Sequence, residues 1–308
     1  MRRTFFETLG RIAKDDRDIF LLTADLGVKF LDSFRNLDPQ RFINAGIAES
    51  NMIGVAAGLA MSGKNVYCYS IIPFLIMRAF EQIRIDVCYN DLNVKLLGSG
   101  GGLVYAAEGI THHAIEDIAL IRSLPNVTIV APGDALEAKA AAEASVDYKG
   151  PLYIRFGRDV DPLIHREEDF NFEVGKGIVV SRGEDICLIT TGSMLYLGKL
   201  VTDGLKSRGV SSTLVSMHTI KPLDTDLVEE CLRHHRAIFT IEEHNIIGGL
   251  GSAVCEVVAE SRFKGVFKRI GIPDEYCSDI GKVDYLREKM GLAPENVVNL
   301  ILGEFHRS

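Results

Sequence analysis

Glu49 is the first side chain whose position points to chemistry, because it stands between a strand-like stretch and a strongly apolar one. Residues 44–50 read NAGIAES. At a helix N-terminus, the Glu49 carboxylate would be stabilised by the helix dipole, with Ser50 or Asn51 as the capping residue. Under apolar cover from Ile47, Ala48 and Met52, its pKa would instead rise, and the carboxyl group could share a proton with a heteroaromatic nitrogen near neutral pH. Both interpretations fit the residues.

Three further stretches could bind a flat or phosphorylated ligand. Residues 72–82 (IPFLIMRAFEQ) predict a helix near Phe74, whose ring either fills the core or stacks on a ligand ring. The glycine-rich run 98–102 precedes His112 and His113 but lacks the spacing of a nucleotide-binding phosphate loop. Arg158 follows a predicted strand, where it could bind a phosphate or pair with a linker residue. No spacing of histidines and cysteines predicts a metal site.

Short β-branched runs alternate with helical patterns along the chain, which is typical of βαβ units around parallel sheets. In the first half, strands are predicted at 19–23, 66–71, 93–97, 127–131 and 152–156, and helices at 4–14, 51–62, 74–89, 115–123 and 135–146, the last capped by Asp134. In the second half, strands are predicted at 186–190, 213–217, 237–241 and 266–270, and helices near 195–207, 226–233, 253–261 and 283–290.

Between the two halves, residues 159–172 are polar, contain Pro162 and predict a linker over the surface. We therefore expect an α/β fold of two domains, at 1–160 and 175–308, joined by a linker at 161–174. Each domain should be a mainly parallel sheet flanked by helices, with strands buried on both faces. Residues 52–61 (MIGVAAGLAM) form an apolar helix that must be covered all round, and a subunit interface is the favoured explanation.

The composition limits the classes of function. The chain has 308 residues and a formal net charge of −8, which argues against a general affinity for nucleic acid or anionic membranes. Its six cysteines are scattered without a Cys-x-x-Cys pair, as in a cytoplasmic protein with reduced thiols. The N-terminus does not resemble a signal peptide, and charges interrupt every apolar stretch before the ~18 residues that a membrane span needs.

The order and spacing of several short segments are more specific than any segment alone. They are residues 25–27 (DLG), 45–49 (AGIAE), 74–82 (FLIMRAFEQ), 108–113 (EGITHH), 124–126 (LPN), 130–132 (VAP), 221–224 (KPLD) and 242–251 (EEHNIIGGLG). Together they closely resemble the transketolase and 1-deoxyxylulose-5-phosphate synthase family. The resemblance runs from residue 4 to about 302, and it covers only the last two of that family's usual three domains. It implies a pyrimidine-type thiamine-diphosphate-binding fold followed by a transketolase C-terminal-like domain.

The resemblance also implies a site for thiamine diphosphate and a ketol transfer between sugars. Glu49 would share a proton with N1′ of the aminopyrimidine ring, while the cofactor itself carries the covalent chemistry. The other implied site residues are Asp25, Phe74 and Phe80 for the cofactor, His112 for proton movement at the donor sugar, Glu108 for its hydroxyl group, and Arg158 with Arg2 or Arg3 for the substrate phosphate.

Some residues depart from the family's pattern. Glu108 stands where an aspartate is usual, and Gly100 or Gly101 replaces a phosphate-binding histidine or arginine. Lys29 stands where a serine often helps to bind phosphate. The acceptor pocket should therefore be altered, and an ordinary pentose-phosphate substrate is in doubt.

The sequence has no Gly-Asp-Gly, the family's signature for the diphosphate and its Mg²⁺; the nearest match, at 133–135, reads GDA. We therefore expect a partner subunit that carries Gly-Asp-Gly and holds the Mg²⁺, in an α₂β₂ heterotetramer acting on a sugar phosphate. A second interpretation is the β subunit of a 2-oxo acid dehydrogenase, which has the same two domains, or a 1-deoxyxylulose-5-phosphate synthase-like enzyme. Residues 111–126 favour transketolase over the dehydrogenase. A third is a non-catalytic regulatory homologue.

Overall fold

A computed structural model describes residues 1–26, 29–157 and 162–306, and within them the apolar runs form two sheets. The strands are β1 (Ile19–Thr23), β2 (Phe42–Asn44), β3 (Asn65–Ile71), β4 (Val94–Ser99), β5 (Thr128–Val130), β6 (Leu152–Phe156), β7 (Ile178–Ser181), β8 (Ile186–Thr190), β9 (Ser212–Ser216), β10 (Thr219–Lys221), β11 (Ala237–Asn245) and β12 (Val266–Ile272). The α-helices are α1 (Arg2–Ile12), α2 (Asp32–Leu37), α3 (Glu49–Met61), α4 (Phe80–Gln82), α5 (Asp117–Arg122), α6 (Ala135–Asp147), α7 (Met194–Lys206), α8 (Thr225–His234), α9 (Leu250–Glu260), α10 (Val283–Lys289) and α11 (Pro294–Phe305). Two π-helical segments, Pro73–Arg78 and Ile83–Tyr89, flank α4.

The first sheet has seven strands in the order β10-β5-β6-β4-β3-β1-β2, and only β10 runs antiparallel to its neighbour. Alternate strand residues point to opposite faces, and both faces are covered. Leu21 and Tyr67 pack with α1 and α6 on one face, whereas Leu22 and Val66 pack with α3 on the other. The expectation that both faces of this mainly parallel sheet are buried is confirmed.

The second sheet has five strands in the order β12-β11-β8-β9-β7, with only β7 antiparallel. Leu188 and Phe239 pack with α7 and α11, and Cys187 and Ile238 pack with α8 and α9 on the opposite face. The chain is therefore an α/β protein with two mainly parallel sheets flanked by helices, as its sequence predicts. No helix in the described ranges is long and apolar enough to cross a membrane.

Most predicted elements are present, with ends shifted by a few residues. Asp134 caps α6 as expected, because its Oδ1 accepts hydrogen bonds from the backbone N–H groups of Leu136 at 2.9 Å and Glu137 at 3.0 Å. The single helix predicted at 74–89 is wrong: π-helical turns interrupt it on both sides of α4. Five elements were not predicted, namely α2, α11, β2, β7 and β10.

The segment between the two sheets is less exposed than its polar composition predicts. His165 is only 7% exposed, and its Nε2 lies 2.6 Å from Oε1 of the buried Glu137. Farther along, the ring of Phe172 stacks on His218, with centroids 4.2 Å apart. The prediction of a linker that simply runs over the surface is therefore wrong at these residues. The domain limits at 160 and 175 remain a proposal.

Helix α3 is covered on one side only in the described part of the chain. Met52, Ile53, Ala56 and Ala57 are buried in the core. On the other side, Gly54 and Gly58 are exposed, Val55 is 39% exposed and Met61 is 63% exposed. We call Gly54, Val55, Gly58 and Met61 the open face of α3.

Candidate functional site at the carboxyl end of the first sheet

The described candidate residues gather where strands of the first sheet end. Asp25 follows β1, Glu49 follows β2, Phe74 follows β3, and the glycine-rich run ends β4. Parallel strands place their carboxyl ends on one edge, which is where ligands of open α/β sheets bind. The topology therefore brings together residues that are far apart in the sequence.

The turn before Glu49 is held by Asn44. Its Oδ1 accepts hydrogen bonds from the backbone N–H groups of Asp25 and Gly46, both at 3.0 Å. Asp25 and Gly46 have positive φ angles of 54° and 70°, a region that non-glycine residues rarely adopt outside constrained sites. Asp25 is exposed and contributes to this turn; its proposed contact with the cofactor stays a prediction.

Glu49 is the first residue of α3, and its side chain is 2% exposed. Ala48 occupies the N-cap position and no side chain caps the helix, so the expected capping by Ser50 or Asn51 is wrong. Ile47 is 77% exposed, so the expectation that it covers Glu49 is also wrong. Burial of the carboxylate comes from the protein around the start of α3.

Arg78 joins Glu49 to Phe74. Its Nη1 donates a hydrogen bond to Glu49 Oε2 at 2.7 Å, and its guanidinium carbon lies over the Phe74 ring, 4.6 Å from the centroid. Arg78 is four residues after Phe74 on a π-helical segment, a helix type that is often found at functional sites. Arg78 was not predicted from the sequence, although its four-residue spacing from Phe74 on a helix was the signal that could have paired the two.

His112 also packs against Phe74. The two rings meet edge to face with centroids 5.1 Å apart, and the ring of Tyr105 lies 6.1 Å from that of His112. Thr111 Oγ1 lies 2.9 Å from His112 Nδ1 and orients the imidazole. Among the described residues none hydrogen-bonds to Nε2 of His112, so that ring nitrogen is left for a ligand. His113, by contrast, is 3% exposed, and burial lowers the pKa of its imidazole.

Arg2 also belongs to this group of site residues, and its side chain lies among hydroxyl groups. Its Nη1 lies within hydrogen-bonding distance of three hydroxyl groups, those of Ser99 at 2.5 Å, Tyr105 at 3.2 Å and Tyr69 at 3.4 Å. The Tyr105 ring fills the space beside Gly100, where a Cβ atom would collide with the ring. The absence of a side chain at Gly100 was noted in the sequence, but the tyrosine that takes its place was not predicted.

Three candidates are not joined to this group. Phe80 packs against the core under α3. Glu108 is exposed on a 3-10 turn, and its side chain makes no hydrogen bond with any residue that the structure describes. Arg158 lies outside the described residues. Their assignments remain predictions from the resemblance.

The buried ion pair of Asp117 and Arg155 connects the first sheet to the second, close to the segment that carries the histidines. Arg155 on β6 donates to Asp117 Oδ2 at 2.8 Å, and its Nη2 donates to the carbonyl oxygens of Ala114 at 2.9 Å and Glu243 at 3.1 Å. Asp117 is fully buried and Arg155 is 4% exposed. Because Glu243 belongs to β11, this contact fixes the position of the second sheet relative to the His112 segment.

Two titratable groups of β11 are also strongly perturbed. Burial raises the pKa of Glu242 to about 7, although the backbone N–H groups of Leu250 and Gly251 bind its carboxylate. Burial lowers the pKa of His244 to about 4. Nε2 of His244 accepts a hydrogen bond from the backbone N–H of Ala119 in the first half at 3.4 Å, whereas the hydrogen bonds of Glu242 stay within the second half.

The residues around Glu49 fit an aminopyrimidine ring. The Glu49 carboxylate and the Phe74 ring both contact the planar guanidinium of Arg78, which shows that a flat group with N–H donors can lie between them. Among the described residues, one group has metal-ligand geometry, formed by Cys187, Cys231 and His235 in the second half of the chain. That group offers soft ligands, unlike the oxygen ligands that Mg²⁺ prefers.

Comparison with known proteins identifies the class to which this fold and site belong. The family model described as "Transketolase, pyrimidine binding domain" matches residues 1–160, and "Transketolase, C-terminal domain" matches residues 175–297. The chain belongs to the transketolase family and carries these two of its domains.

This chain matches several individual relatives over nearly the whole length of each relative. One subunit of an apulose-4-phosphate transketolase from Phocaeicola vulgatus is 37% identical over 275 residues, which are 89% of this chain and 88% of the relative. A 6-deoxy-6-sulfo-D-fructose transketolase subunit from a Clostridium species is 35% identical over 97% of this chain and 92% of its own. A solved structure, described as a split-gene transketolase in an inactive β4 tetramer, matches with a TM-score of 0.87 and 35% identity over 99% of this chain and 97% of that one.

Proposed function

We propose that this chain is the pyrimidine-binding subunit of a two-chain, thiamine-diphosphate-dependent transketolase that transfers a two-carbon ketol unit between sugars or sugar phosphates. The observation that carries the proposal is the buried Glu49 carboxylate, which the Arg78 guanidinium bridges to the Phe74 ring, with His112 against that ring. In this proposal the enzyme is cytoplasmic, consistent with six free thiols.

The roles of this chain's residues follow from their placement. When bound, the cofactor supplies the carbon nucleophile and the electron sink for breaking and forming the carbon–carbon bond. Glu49 holds a proton at N1′ of the pyrimidine, Phe74 stacks on that ring, and His112 moves a proton at the donor hydroxyl. Arg2, within its hydroxyl cluster, binds the substrate phosphate, a role that we also propose for Arg158.

Dependence on a partner is part of the proposal. The sequence contains no Gly-Asp-Gly, and the relatives in Phocaeicola and Clostridium are named as subunits. The split-gene relative is described as an inactive β4 tetramer, which supports the idea that a chain of this kind assembles without activity. We propose an α₂β₂ heterotetramer in which the partner binds the diphosphate and Mg²⁺, and the open face of α3 is buried against another subunit.

Calorimetric titration and rate measurements test the proposal together. The purified chain should show no ketol transfer and no Mg²⁺-dependent binding of thiamine diphosphate at micromolar levels, because the diphosphate would have no cation. A mixture with a Gly-Asp-Gly-bearing partner should show both. Tight, Mg²⁺-dependent binding by the single chain would contradict the two-chain proposal, and decarboxylation of a 2-oxo acid by the mixture would favour the dehydrogenase alternative.

A Glu49→Gln variant tests the site itself. It keeps the shape of the side chain but cannot share its proton, so activity of the mixture should fall by ~10²–10⁴-fold, the usual contribution of a general acid–base group. Glu81→Gln, a change at an exposed carboxylate on α4, is the matched control and should leave the rate unchanged. A Glu49→Gln enzyme that retains half of its rate would exclude the proposed role.

A further inference from the structure

Arg78 makes the two contacts that the proposed function assigns to the pyrimidine ring. Its guanidinium donates to Glu49 Oε2 at 2.7 Å and lies over the Phe74 ring at 4.6 Å. Both contacts come from one planar group, so the guanidinium lies on the face of Phe74 that is turned toward Glu49. A flat heteroaromatic ring would need that carboxylate and that ring face at the same time.

We propose that Arg78 is a built-in competitor for the pyrimidine: its guanidinium must leave Glu49 and Phe74 before the ring can bind. This inference rests on the proposed function of those two residues. It adds a role for a third residue, which regulates access to the site without taking part in the reaction.

The physical reason for such a residue is the cost of a buried carboxylate. Glu49 is 2% exposed, and a carboxylate withdrawn from water without a partner is strongly destabilising. Arg78 supplies the counter-charge, and cation–π contact with Phe74 adds to the stabilisation. When a pyrimidine arrives, its own N–H···O contact replaces that of Arg78, so the carboxylate is partnered in both arrangements.

Arg78 is also placed to move. Its side chain is 47% exposed, so the guanidinium can enter water by rotation about its own bonds. The backbone can stay in place, since Ser50 Oγ donates a hydrogen bond to the Arg78 carbonyl oxygen at 3.3 Å. The exchange therefore requires a change of rotamer and no rearrangement of the π-helical segment.

The experiment measures binding of 4-amino-5-hydroxymethyl-2-methylpyrimidine, which has the ring but neither thiazolium nor diphosphate, to the full-length chain by NMR titration at millimolar concentrations. Arg78→Ala should bind this pyrimidine about tenfold more tightly than the unmodified chain, because one charge-assisted contact no longer has to be broken. Arg84→Ala, which removes an exposed arginine from the following π-helical segment, is the matched control and should have unchanged affinity.

Chemical competition separates this role from a general loosening of the site. Guanidinium chloride at tens of millimolar should bind in the space left by Arg78→Ala and return its affinity toward that of the unmodified chain. The same salt should have little effect on the unmodified chain, whose own guanidinium already occupies the space. A loose site would not respond selectively to guanidinium over sodium.

The outcomes are distinct. Equal or weaker pyrimidine binding by Arg78→Ala overturns the competitor role, and weaker binding would make Arg78 a positioning residue for Glu49. If neither chain binds the pyrimidine, and Glu49→Gln also leaves cofactor binding by the assembled enzyme unchanged, the proposed function itself fails. If assembled binding depends on Glu49 but Arg78→Ala gains no affinity, only the competitor role fails.

Discussion

Replacing Asp117 with asparagine tests how the two halves of the molecule are held together. The side chain of Asp117 is fully buried, accepts from Arg155 Nε at 2.8 Å and Nη2 at 3.3 Å, and accepts from the Tyr153 hydroxyl at 2.7 Å. Asparagine keeps the shape, so no cavity forms, but it removes the hydrogen-bonded counter-charge of the Arg155 guanidinium. Removing one partner of a buried ion pair costs about 3–5 kcal/mol.

This loss can be converted into a melting temperature. An unfolding entropy of about 2.1 cal/mol/K per residue gives about 0.65 kcal/mol/K for a chain of 308 residues that unfolds cooperatively. Asp117→Asn should therefore lower Tm by about 5–8 °C. Differential scanning calorimetry measures this shift, and urea unfolding gives the free energy of unfolding independently.

Asp203→Asn is the matched control. Asp203 is 56% exposed on α7 and pairs with Lys199 one turn away, an arrangement that contributes only about 0.3–0.5 kcal/mol. Its Tm should fall by about 1 °C or less. If Asp117→Asn behaves like this control, the carbonyl oxygens around Arg155 suffice to hold its charge, and the reasoning from an unpaired buried ion is wrong.

Two further predictions concern the connecting segment and the open face of α3. Burial opposes the charge of His165, but the hydrogen bond and the charge of Glu137 outweigh burial and raise the pKa of His165 above its ordinary 6.5. Burial likewise opposes the charge of Glu137, but the hydrogen bond from His165 and the charges of nearby histidines lower the pKa of Glu137 below 4.5. The stabilisation is thus present below pH 6.5 and lost as pH rises through the folded pKa of His165. The difference in free energy of unfolding between the unmodified chain and His165→Gln should therefore be largest near about pH 6 and shrink as the pH rises above 6.5. A difference that stays constant with pH would contradict this. Gly58→Leu should weaken assembly with the partner subunit about tenfold or more in analytical ultracentrifugation, since bulk is added where helices approach closely. Gly303→Leu on α11, also with open space around it, is the control; equal assembly by both variants would place the interface elsewhere.

The sequence predicted the interior of the fold better than its edges. β1, β6 and β8 match their predicted limits because parallel strands that are buried on both faces are short, mainly apolar runs. β2 and β10 have three residues each and exist only because a neighbouring strand pairs with them, which no local pattern reveals.

The sequence predicted which residues belong to the candidate site, but it did not predict how their side chains contact one another. The resemblance pointed to Glu49, Phe74 and His112, and the ends of β2, β3 and β4 bring their segments together. Arg78 was missed because an arginine on an apolar helix normally points into water, and no local pattern pairs it with Glu49, which is 29 residues away in the sequence. His165 was expected in a polar linker, and its contacts with the buried side chains of Glu137 and Asp134 explain why it is covered.

The position of β10 has a consequence for how the protein is made. This strand comes from the second half of the chain, yet it pairs with β5, joining Thr219 to Val130 and Lys221 to Ile129. While a ribosome is still adding residues 157–218, the first sheet ends at β5, and an open strand edge is a template for pairing with other chains. Translation of the second half is therefore required to complete the first, and a shortened gene that stops in the connecting segment would encode a sheet with that edge permanently unprotected.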